Sequence, residues 1–285
     1  MYHARITRKN PTAFLIFIDQ SGSMEEATLF NNRQMSKAEA VALTVNMTIS
    51  ELINRCRRED FYADYFEIAV FGYSGNEVRS LLPSGKTFMT PGKLAGSELE
   101  KIKLNRERVL PDGRSAISVV EQKIWIKPSC SGKTPMYEAL LKCYDIVGGW
   151  CADKKHRHCY PPTVFNITDG EASDGDNARL LEIASRIRHT GTIDGNTLLV
   201  NIHITSNTNE KPVLFAASEG ELPDEGYAKM LFGMSSVMPP AYNENIADMR
   251  GGHTAADYRG ISYNAGMTDL IGMMNIGSVS VSLMD

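Results

Sequence analysis

The sequence predicts an α/β fold with a doubly wound, mostly parallel central sheet that is flanked by helices. Three continuous apolar runs, at residues 13–18, 163–168 and 198–205, are typical of strands that are buried on both faces. We expect segments 65–73 and 259–265 to add further strands. Helical patterns separate the runs, and this alternation favours a parallel sheet. In such a sheet, ligands bind at the carboxyl ends of the strands.

The predicted helices follow from capping residues and from apolar spacing. Ser36 and Glu39 have the spacing of a capping box, and apolar residues then recur every three or four positions as far as Cys56. Pro135 suits the first position of a second helix, because its fixed φ angle fits a helix start. Residues 176–188 have the pattern of a third helix.

The composition is that of a soluble globular protein. The chain has 285 residues, 42% of them hydrophobic, and a formal net charge of −4, so it is long enough to bury a substantial core. Acidic and basic residues are mixed, which argues against a nucleic-acid surface. No apolar run reaches the roughly 18–20 residues that span a bilayer, and the start lacks a secretory signal. We therefore expect a cytoplasmic protein without membrane contact, whose five cysteines form no disulfide framework.

Polar side chains stand where the predicted strands end. Asp19, Ser21 and Ser23 follow the first apolar run, Asp169 follows the second, and Thr134 precedes the second helix. Taken singly, each is an ordinary turn or cap residue. Together they bring two carboxylates and three hydroxyls to one edge of one sheet, an all-oxygen set that suits a hard cation such as Mg²⁺.

Three segments that contain these residues together resemble one known protein family. "DQSGS" at 19–23, "GKTP" at 132–135 and "FNITDGE" at 165–171 closely resemble the von Willebrand factor A (vWA) family, whose metal-ion-dependent adhesion site has an Asp-x-Ser-x-Ser motif, a Thr and an Asp in that order. "YRGISYNAGMTDLIGMM" at 258–274 is similar to the last strand and helix of the family. The motifs look most like the bacterial cytoplasmic branch that includes tellurium-resistance-type proteins. The resemblance covers the whole chain and implies a single vWA-like domain over 1–285.

The resemblance implies metal-dependent protein binding without catalysis. A bound Mg²⁺, for which Mn²⁺ or Ca²⁺ could substitute, would accept an Asp or Glu side chain from a partner protein, in a bacterial intracellular stress or defence complex. In the family pattern the hydroxyls contact the ion, that of Thr134 in the ligand-bound state, and the aspartates often act through water. We expect Gly22 to let the turn close. The implied metal ligands are the strand-end residues Asp19, Ser21, Ser23, Thr134 and Asp169.

The alternative function is that of a degenerate P-loop NTPase. "IWIKPSCSGKTPMYEAL" at 124–140 is similar to a phosphate-binding loop that would use the Gly-Lys-Thr at 132–134. That motif requires glycine at 127, where this chain has Lys127 followed by Pro128. A side chain at this position would crowd the backbone that wraps the phosphates. We therefore expect a binding module and not an enzyme.

A cluster of cysteine and histidine residues has two interpretations. Cys151, His156, His158 and Cys159 are potential zinc ligands, but their spacing matches none of the common structural zinc patterns. We favour an exposed connection after the second helix. In the acidic segment that follows Asp169, we expect Ser173 or Asp174 to cap the third helix.

Residues 75–124 are the least regular part of the chain. They are rich in glycine, proline and charge, and they lie between a predicted strand and the Thr134 loop. One interpretation is an elaboration that helps to select the partner. The other is a surface elaboration with a local helix at 97–107. We favour the first.

Overall fold

The computed structural model describes residues 1–30, 33–109, 115–206, 211–252 and 257–279. Eleven strands and seven α-helices lie within these ranges. The strands are β1 (Thr12–Asp19), β2 (Ala27–Phe30), β3 (Arg33–Ser36), β4 (Phe66–Ser74), β5 (Glu77–Ser80), β6 (Glu100–Val109), β7 (Ser115–Ile124), β8 (Thr163–Thr168), β9 (Leu198–Ile204), β10 (Val213–Leu214) and β11 (Ile261–Ala265). The α-helices are α1 (Lys37–Cys56), α2 (Pro91–Leu94), α3 (Met136–Ala152), α4 (Asn177–His189), α5 (Gly226–Met234), α6 (Asn243–Met249) and α7 (Met267–Val279).

A seven-stranded sheet forms the centre of the fold, with strand order β10-β11-β9-β8-β1-β4-β5. The five inner strands pair in parallel, and β5 and β10 add antiparallel edges. The predicted mostly parallel α/β sheet is therefore confirmed. From β1 the chain first adds β4 on one side and later β8 on the other, so the strand order reverses between β1 and β8. The carboxyl ends of these two strands lie where a doubly wound sheet binds ligands.

Two hydrophobic cores cover the two faces of this sheet. Along β1 the side chains alternate: Phe14, Ile16 and Ile18 pack toward α1 and α7. Leu15 and Phe17 pack toward α3, α4 and α5. This two-sided burial explains why β1 is apolar at consecutive positions rather than at every second one. The strand is consequently held rigidly up to its polar carboxyl end.

The helix predictions are confirmed to within one residue at their starts. The Ser36 side chain accepts a hydrogen bond from the Glu39 amide, and the Glu39 carboxylate accepts one from the Ser36 amide, which completes the capping box of α1. Pro135 is the N-cap of α3, one position before the first helical residue. The predicted apolar stripes of both helices are buried: Val41, Val45, Ile49, Leu52 and Cys56 on α1, and Met136, Leu140, Cys143 and Val147 on α3.

The expectation of a local helix at 97–107 is wrong. Strands β6 and β7 form a separate two-stranded antiparallel hairpin, in which Glu100 lies opposite Ile124 and Leu104 opposite Val120. The segment "KIKL" at 101–104 alternates charged and apolar residues, which is the period of a strand. The charges obscured that period. The role of residues 75–124 in partner selection stays a prediction.

Candidate functional site at the ends of β1 and β8

Asp19 ends β1 with its side chain fully buried. Its Oδ1 accepts a hydrogen bond of 2.9 Å from the Ser21 amide, and its Oδ2 accepts one of 2.9 Å from the Thr168 hydroxyl. The register explains the second contact, because Ile18 lies beside Ile167 and the next residue on each strand is Asp19 or Thr168. Both carboxylate oxygens therefore hold neighbouring backbone and side-chain groups in place.

The two serines and Asp169 form a row of oxygen atoms. Ser21 Oγ lies 3.1 Å from Ser23 Oγ, and Ser23 Oγ donates a hydrogen bond of 2.7 Å to Asp169 Oδ1. Adjacent ligands of an octahedral Mg²⁺, with metal–oxygen distances of about 2.1 Å, lie about 3.0 Å apart. The spacing and the chemistry of this row therefore fit a magnesium site. Four of the predicted side chains, those of Asp19, Ser21, Ser23 and Asp169, meet at one place.

The loop that contains Thr134 is tied to this row through the backbone. The Gly22 amide donates to the Gly132 carbonyl at 3.0 Å, and the Ser131 amide donates to the Gln20 carbonyl at 2.7 Å. Thr134 itself is buried, and its carbonyl oxygen accepts a hydrogen bond of 2.9 Å from the Ser173 amide. Among the hydrogen bonds of the described residues, none joins the Thr134 hydroxyl to the other four predicted side chains. Thr134 lies beside the row without belonging to it.

The glycine that the site requires is Gly132 rather than Gly22. A Cβ atom at Gly22 would lie 3.6 Å from the Gly132 carbonyl oxygen, an ordinary contact, so the expectation about Gly22 is wrong. Gly132 has φ +72°, and a Cβ there would lie 3.0 Å from Gly75 Cα. The Gly75 amide donates to the Lys133 carbonyl at 2.8 Å, which brings the two chain segments this close. Gly132 thus lets the Thr134 loop approach β4 and the turn that follows it.

Asp174 caps α3, not the helix that follows it in sequence. Its two carboxylate oxygens accept hydrogen bonds of 3.0 Å from the Tyr137 and Glu138 amides. The N-cap of α4 is Asp176, whose side chain accepts from the Arg179 amide at 2.9 Å. The predicted assignment of Ser173 or Asp174 to α4 is therefore wrong. The acidic loop after β8 instead fixes the start of α3, beside Thr134.

Burial raises the pKa of Asp19 to about 6. Hydrogen bonds from Ser21 and Thr168 act in the opposite direction, and the nearby carboxylate of Asp169 raises the pKa further. An anion with so little solvation gains strongly from an added cation. The raised pKa of Asp19, like the row of oxygens, therefore fits the binding of a divalent cation.

Lys37 is a member of the site that the sequence patterns did not reveal. Its Nζ lies 2.7 Å from Asp169 Oδ2 and 2.8 Å from Glu26 Oε2, and only 4% of the side chain is exposed. The detectable signal was a lysine at the first residue of α1, where the positive end of the helix dipole disfavours a cation.

A buried polar ladder crosses the sheet beneath the site. Tyr73 on β4 donates to Asn166 on β8 at 3.0 Å, and Asn166 donates to Asn201 on β9 at 3.1 Å. Asn201 in turn donates to Ser235 Oγ at 3.0 Å. This ladder links β9 to its neighbour β8 and, across the intervening β1, to β4. Its signal was an asparagine inside each of two apolar strands, at positions that the register places side by side.

The cysteine–histidine segment is partly a core element. The His156 ring stacks on Trp150 with centroids 3.8 Å apart, and its Nδ1 lies 2.9 Å from the Trp150 carbonyl oxygen. Cys159 is also buried, whereas His158 is exposed, so the prediction of an exposed connection is wrong for two of the four residues. In the described part of the chain, no three His, Cys, Asp or Glu side chains cluster to hold a metal. The five cysteines are free.

Comparison with known proteins finds similar solved structures but no matching family. No protein-family model and no curated protein matches the chain. A von Willebrand factor type A structure from Catenulispora acidiphila covers 84% of this chain, with 16% identity and a TM-score of 0.45, and this chain spans 42% of that one. The vWF domain of the type V pili tip protein Mfa5 from Porphyromonas gingivalis aligns over 97% of both chains, with 9% identity and a TM-score of 0.45. At these values neither similarity decides the family or the site.

Within the described ranges, no helix is long and apolar enough to cross a membrane.

Proposed function

We propose that this chain is a divalent-metal-dependent protein-binding module with a metal-ion-dependent adhesion site of the vWA type. The observation that supports it most is the row of oxygens from Ser21 through Ser23 to Asp169, spaced at 3.1 and 2.7 Å. Such spacing suits neighbouring ligands of a small hard cation. The proposed ion is Mg²⁺, with Mn²⁺ or Ca²⁺ as substitutes, and the proposed partner is a protein that supplies an Asp or Glu side chain.

The proposed roles of the residues follow from their chemistry. Ser21 and Ser23 would contact the ion as neutral ligands, and Asp19 and Asp169 would hold these hydroxyls and balance part of the charge. The bound ion would supply a positive charge that attracts a carboxylate from outside. Thr134 would complete the ligands when the partner is bound, which agrees with its place beside the row and outside the hydrogen-bonded set.

A phosphate-binding loop receives less support. The missing glycine at Lys127 and the following Pro128 oppose a backbone that wraps phosphates. In addition, β7, the strand that leads into this loop, belongs to the separate hairpin and not to the central sheet. P-loops follow a strand of the parallel sheet directly. We therefore propose no enzymatic activity. The proposed setting, a bacterial intracellular stress or defence complex, rests on the sequence resemblance alone.

The test is recovery of a partner with and without the ion. Tagged wild-type protein and the Thr134→Ala variant should be used as bait in cell extract, each in Mg²⁺ and in excess EDTA. We expect a protein that is retained by the wild type in Mg²⁺, released by EDTA and not retained by Thr134→Ala. Asp145→Ala is the matched control, because it removes an exposed carboxylate from the same helix α3. Equal recovery in EDTA would contradict the proposal.

Thr134→Ala tests partner binding more specifically than Asp169→Ala, because it should change stability less. The Asp169 carboxylate also neutralises the buried Lys37 ammonium, at 2.7 Å. Removing one partner of a buried ion pair costs about 3–5 kcal/mol, so Asp169→Ala would lose stability together with any binding. Thr134 has no side-chain cap role in α3, so its removal leaves the helix start in place.

A further inference from the structure

A lysine ammonium contacts one carboxylate of the proposed metal site. Lys37 Nζ contacts Asp169 Oδ2 at 2.7 Å, while Asp169 Oδ1 accepts the Ser23 hydroxyl at 2.7 Å. The Asp169 side chain is fully buried, and Lys37 is 4% exposed. One oxygen of the Asp169 carboxylate therefore contacts the lysine ammonium, and the other contacts the row of serine hydroxyls.

The position of Lys37 is not explained by the stability of α1. The helix start is already capped by Ser36 and Glu39, and a cation at the first helical residue opposes the helix dipole. The lysine is nevertheless held firmly. Its amide donates to the Glu26 carbonyl at 2.9 Å, and its ammonium contacts the Glu26 carboxylate at 2.8 Å. These contacts with Glu26 hold Lys37 in the position from which its ammonium also contacts Asp169.

The charge of Lys37 opposes a second cation at the same carboxylate. A divalent ion held by Ser23 and Asp169 would be separated from the ammonium by a single carboxylate group. The ammonium and the Asp169 side chain are buried, so water would screen the repulsion less than between two fully exposed charges. Glu26, with 59% of its side chain exposed, offsets part of the ammonium charge from the solvent side.

We propose that Lys37 lowers the affinity of the site for a divalent ion, so that the ion is retained well only when an acidic partner adds negative charge. This inference rests on the proposed function and specifies how that site is regulated. The ammonium neutralises Asp169 in the metal-free protein, and the arriving carboxylate compensates the repulsion between ion and ammonium. Metal and partner then bind cooperatively, because each is held less well without the other.

The test is Mn²⁺ titration of EDTA-stripped, partner-free protein by calorimetry. Lys37→Met removes the charge and keeps the length of the side chain, and we expect it to tighten Mn²⁺ binding by about tenfold or more. Lys37→Arg keeps the charge, so its Mn²⁺ affinity should stay closer to that of the wild type than the affinity of Lys37→Met does. Glu26→Gln leaves the ammonium less compensated and should weaken binding by about threefold. Lys142→Met, at an exposed position of α3, is the matched control and should change nothing.

The opposite directions of Lys37→Met and Glu26→Gln separate a charge effect from structural damage. Thermal unfolding in EDTA and in Mn²⁺ provides the second readout: Lys37→Met should be less stable than the wild type in EDTA but gain more from Mn²⁺. Binding by Lys37→Met alone would support the inference, because it would show that the lysine masks the site. Wild-type binding that is unchanged or weakened in Lys37→Met would overturn this inference only. Absence of Mn²⁺ binding in both would overturn the proposed function and the inference with it.

Discussion

The Thr168 hydroxyl donates a hydrogen bond of 2.9 Å to Asp19 Oδ2 and thereby joins the carboxyl ends of β8 and β1. The other Asp19 oxygen accepts the Ser21 amide at 2.9 Å, so the carboxylate holds the turn that presents Ser21 and Ser23. Burial raises the pKa of this carboxyl to about 6. One buried aspartate thus positions the proposed metal ligands, and its raised pKa predicts that metal binding depends on pH.

Metal binding should weaken as the pH falls below about 6. A protonated Asp19 adds no negative charge to the site, so the ion must displace a proton, and its apparent affinity should fall by about tenfold per pH unit below the pKa. Mn²⁺ titrations between pH 5 and pH 7.5 measure this. Thr168→Val removes a hydrogen bond that lowers the pKa of Asp19, so it should shift the midpoint to higher pH. An affinity that is constant from pH 5 to 7.5 would contradict this role of Asp19.

The metal-free protein should be more stable when Asp19 is replaced by asparagine. The pKa of Asp19 is about 6 in the folded state against an ordinary 3.8, so the folded state holds more protons than the unfolded state between these values. The free energy of unfolding therefore falls as the pH rises through this window. At pH 7 in EDTA, Asp19→Asn should raise it by up to about 2–3 kcal/mol, at 1.36 kcal/mol per pKa unit, because the amide oxygen can still accept from Ser21.

Denaturant unfolding of both proteins at pH 4 and pH 7, in EDTA and in Mg²⁺, measures this effect. The advantage of Asp19→Asn should vanish at pH 4, where the wild-type carboxyl is protonated. Added Mg²⁺ should stabilise the wild type and leave the variant unchanged. A variant that is less stable than the wild type at pH 7 in EDTA would show that ionised Asp19 stabilises the metal-free fold.

The central sheet was predictable because its inner strands carry an unambiguous pattern. A strand such as β1, apolar at every position from Ala13 to Ile18, fits only a two-sided core. The edge strands β5 and β10 have no such pattern, since they are short and partly exposed. β5 pairs with β4, which precedes it directly in the chain, whereas β10 pairs with the distant β11, a neighbour that the sequence order does not identify. The hairpin β6–β7 was missed because its charges disguised a strand period.

The proposed site was predictable only in its strand-end residues. Asp19 and Asp169 follow apolar runs, so the architecture alone brings them to one edge. Lys37 and Asp174 act across the fold, on Asp169 and on the start of α3. The sequence around Lys37 and Asp174 does not indicate that these side chains contact Asp169 and α3. Asp174 in particular lies closer in sequence to α4, and the folded loop directs it to α3 instead.

Variants of two nearby aspartates should distinguish the effect of losing a helix cap from the effect of loosening the Thr134 position. Asp174 caps α3 beside Thr134, and Asp176 caps α4. Replacing either by alanine should cost about 1 kcal/mol of stability. Only Asp174→Ala should also weaken Mn²⁺-dependent partner binding, because it loosens the helix start next to Thr134. Equal partner binding by both variants would show that the position of Thr134 does not depend on Asp174.

The purified protein should show no steady hydrolysis of ATP or GTP. Lys127 and Pro128 occupy the turn where a phosphate-binding loop requires glycine. A phosphate-release assay with Mg²⁺ and either nucleotide measures this, with Lys133→Ala as the diagnostic variant. Turnover by the wild type that disappears in Lys133→Ala would overturn the prediction and restore the NTPase alternative.

The central claim, a divalent-ion site built from the hydroxyls after β1, is tested most directly by Mn²⁺ calorimetry of Ser23→Ala. Ser23 Oγ stands between Ser21 Oγ and Asp169 Oδ1, at 3.1 and 2.7 Å, so its removal interrupts the row of oxygens. The matched control is Ser131→Ala, which removes an exposed hydroxyl from the adjacent loop. We predict one Mn²⁺ site in the wild type and in Ser131→Ala, and binding weakened by about tenfold or more in Ser23→Ala. Undiminished binding by Ser23→Ala would contradict the account.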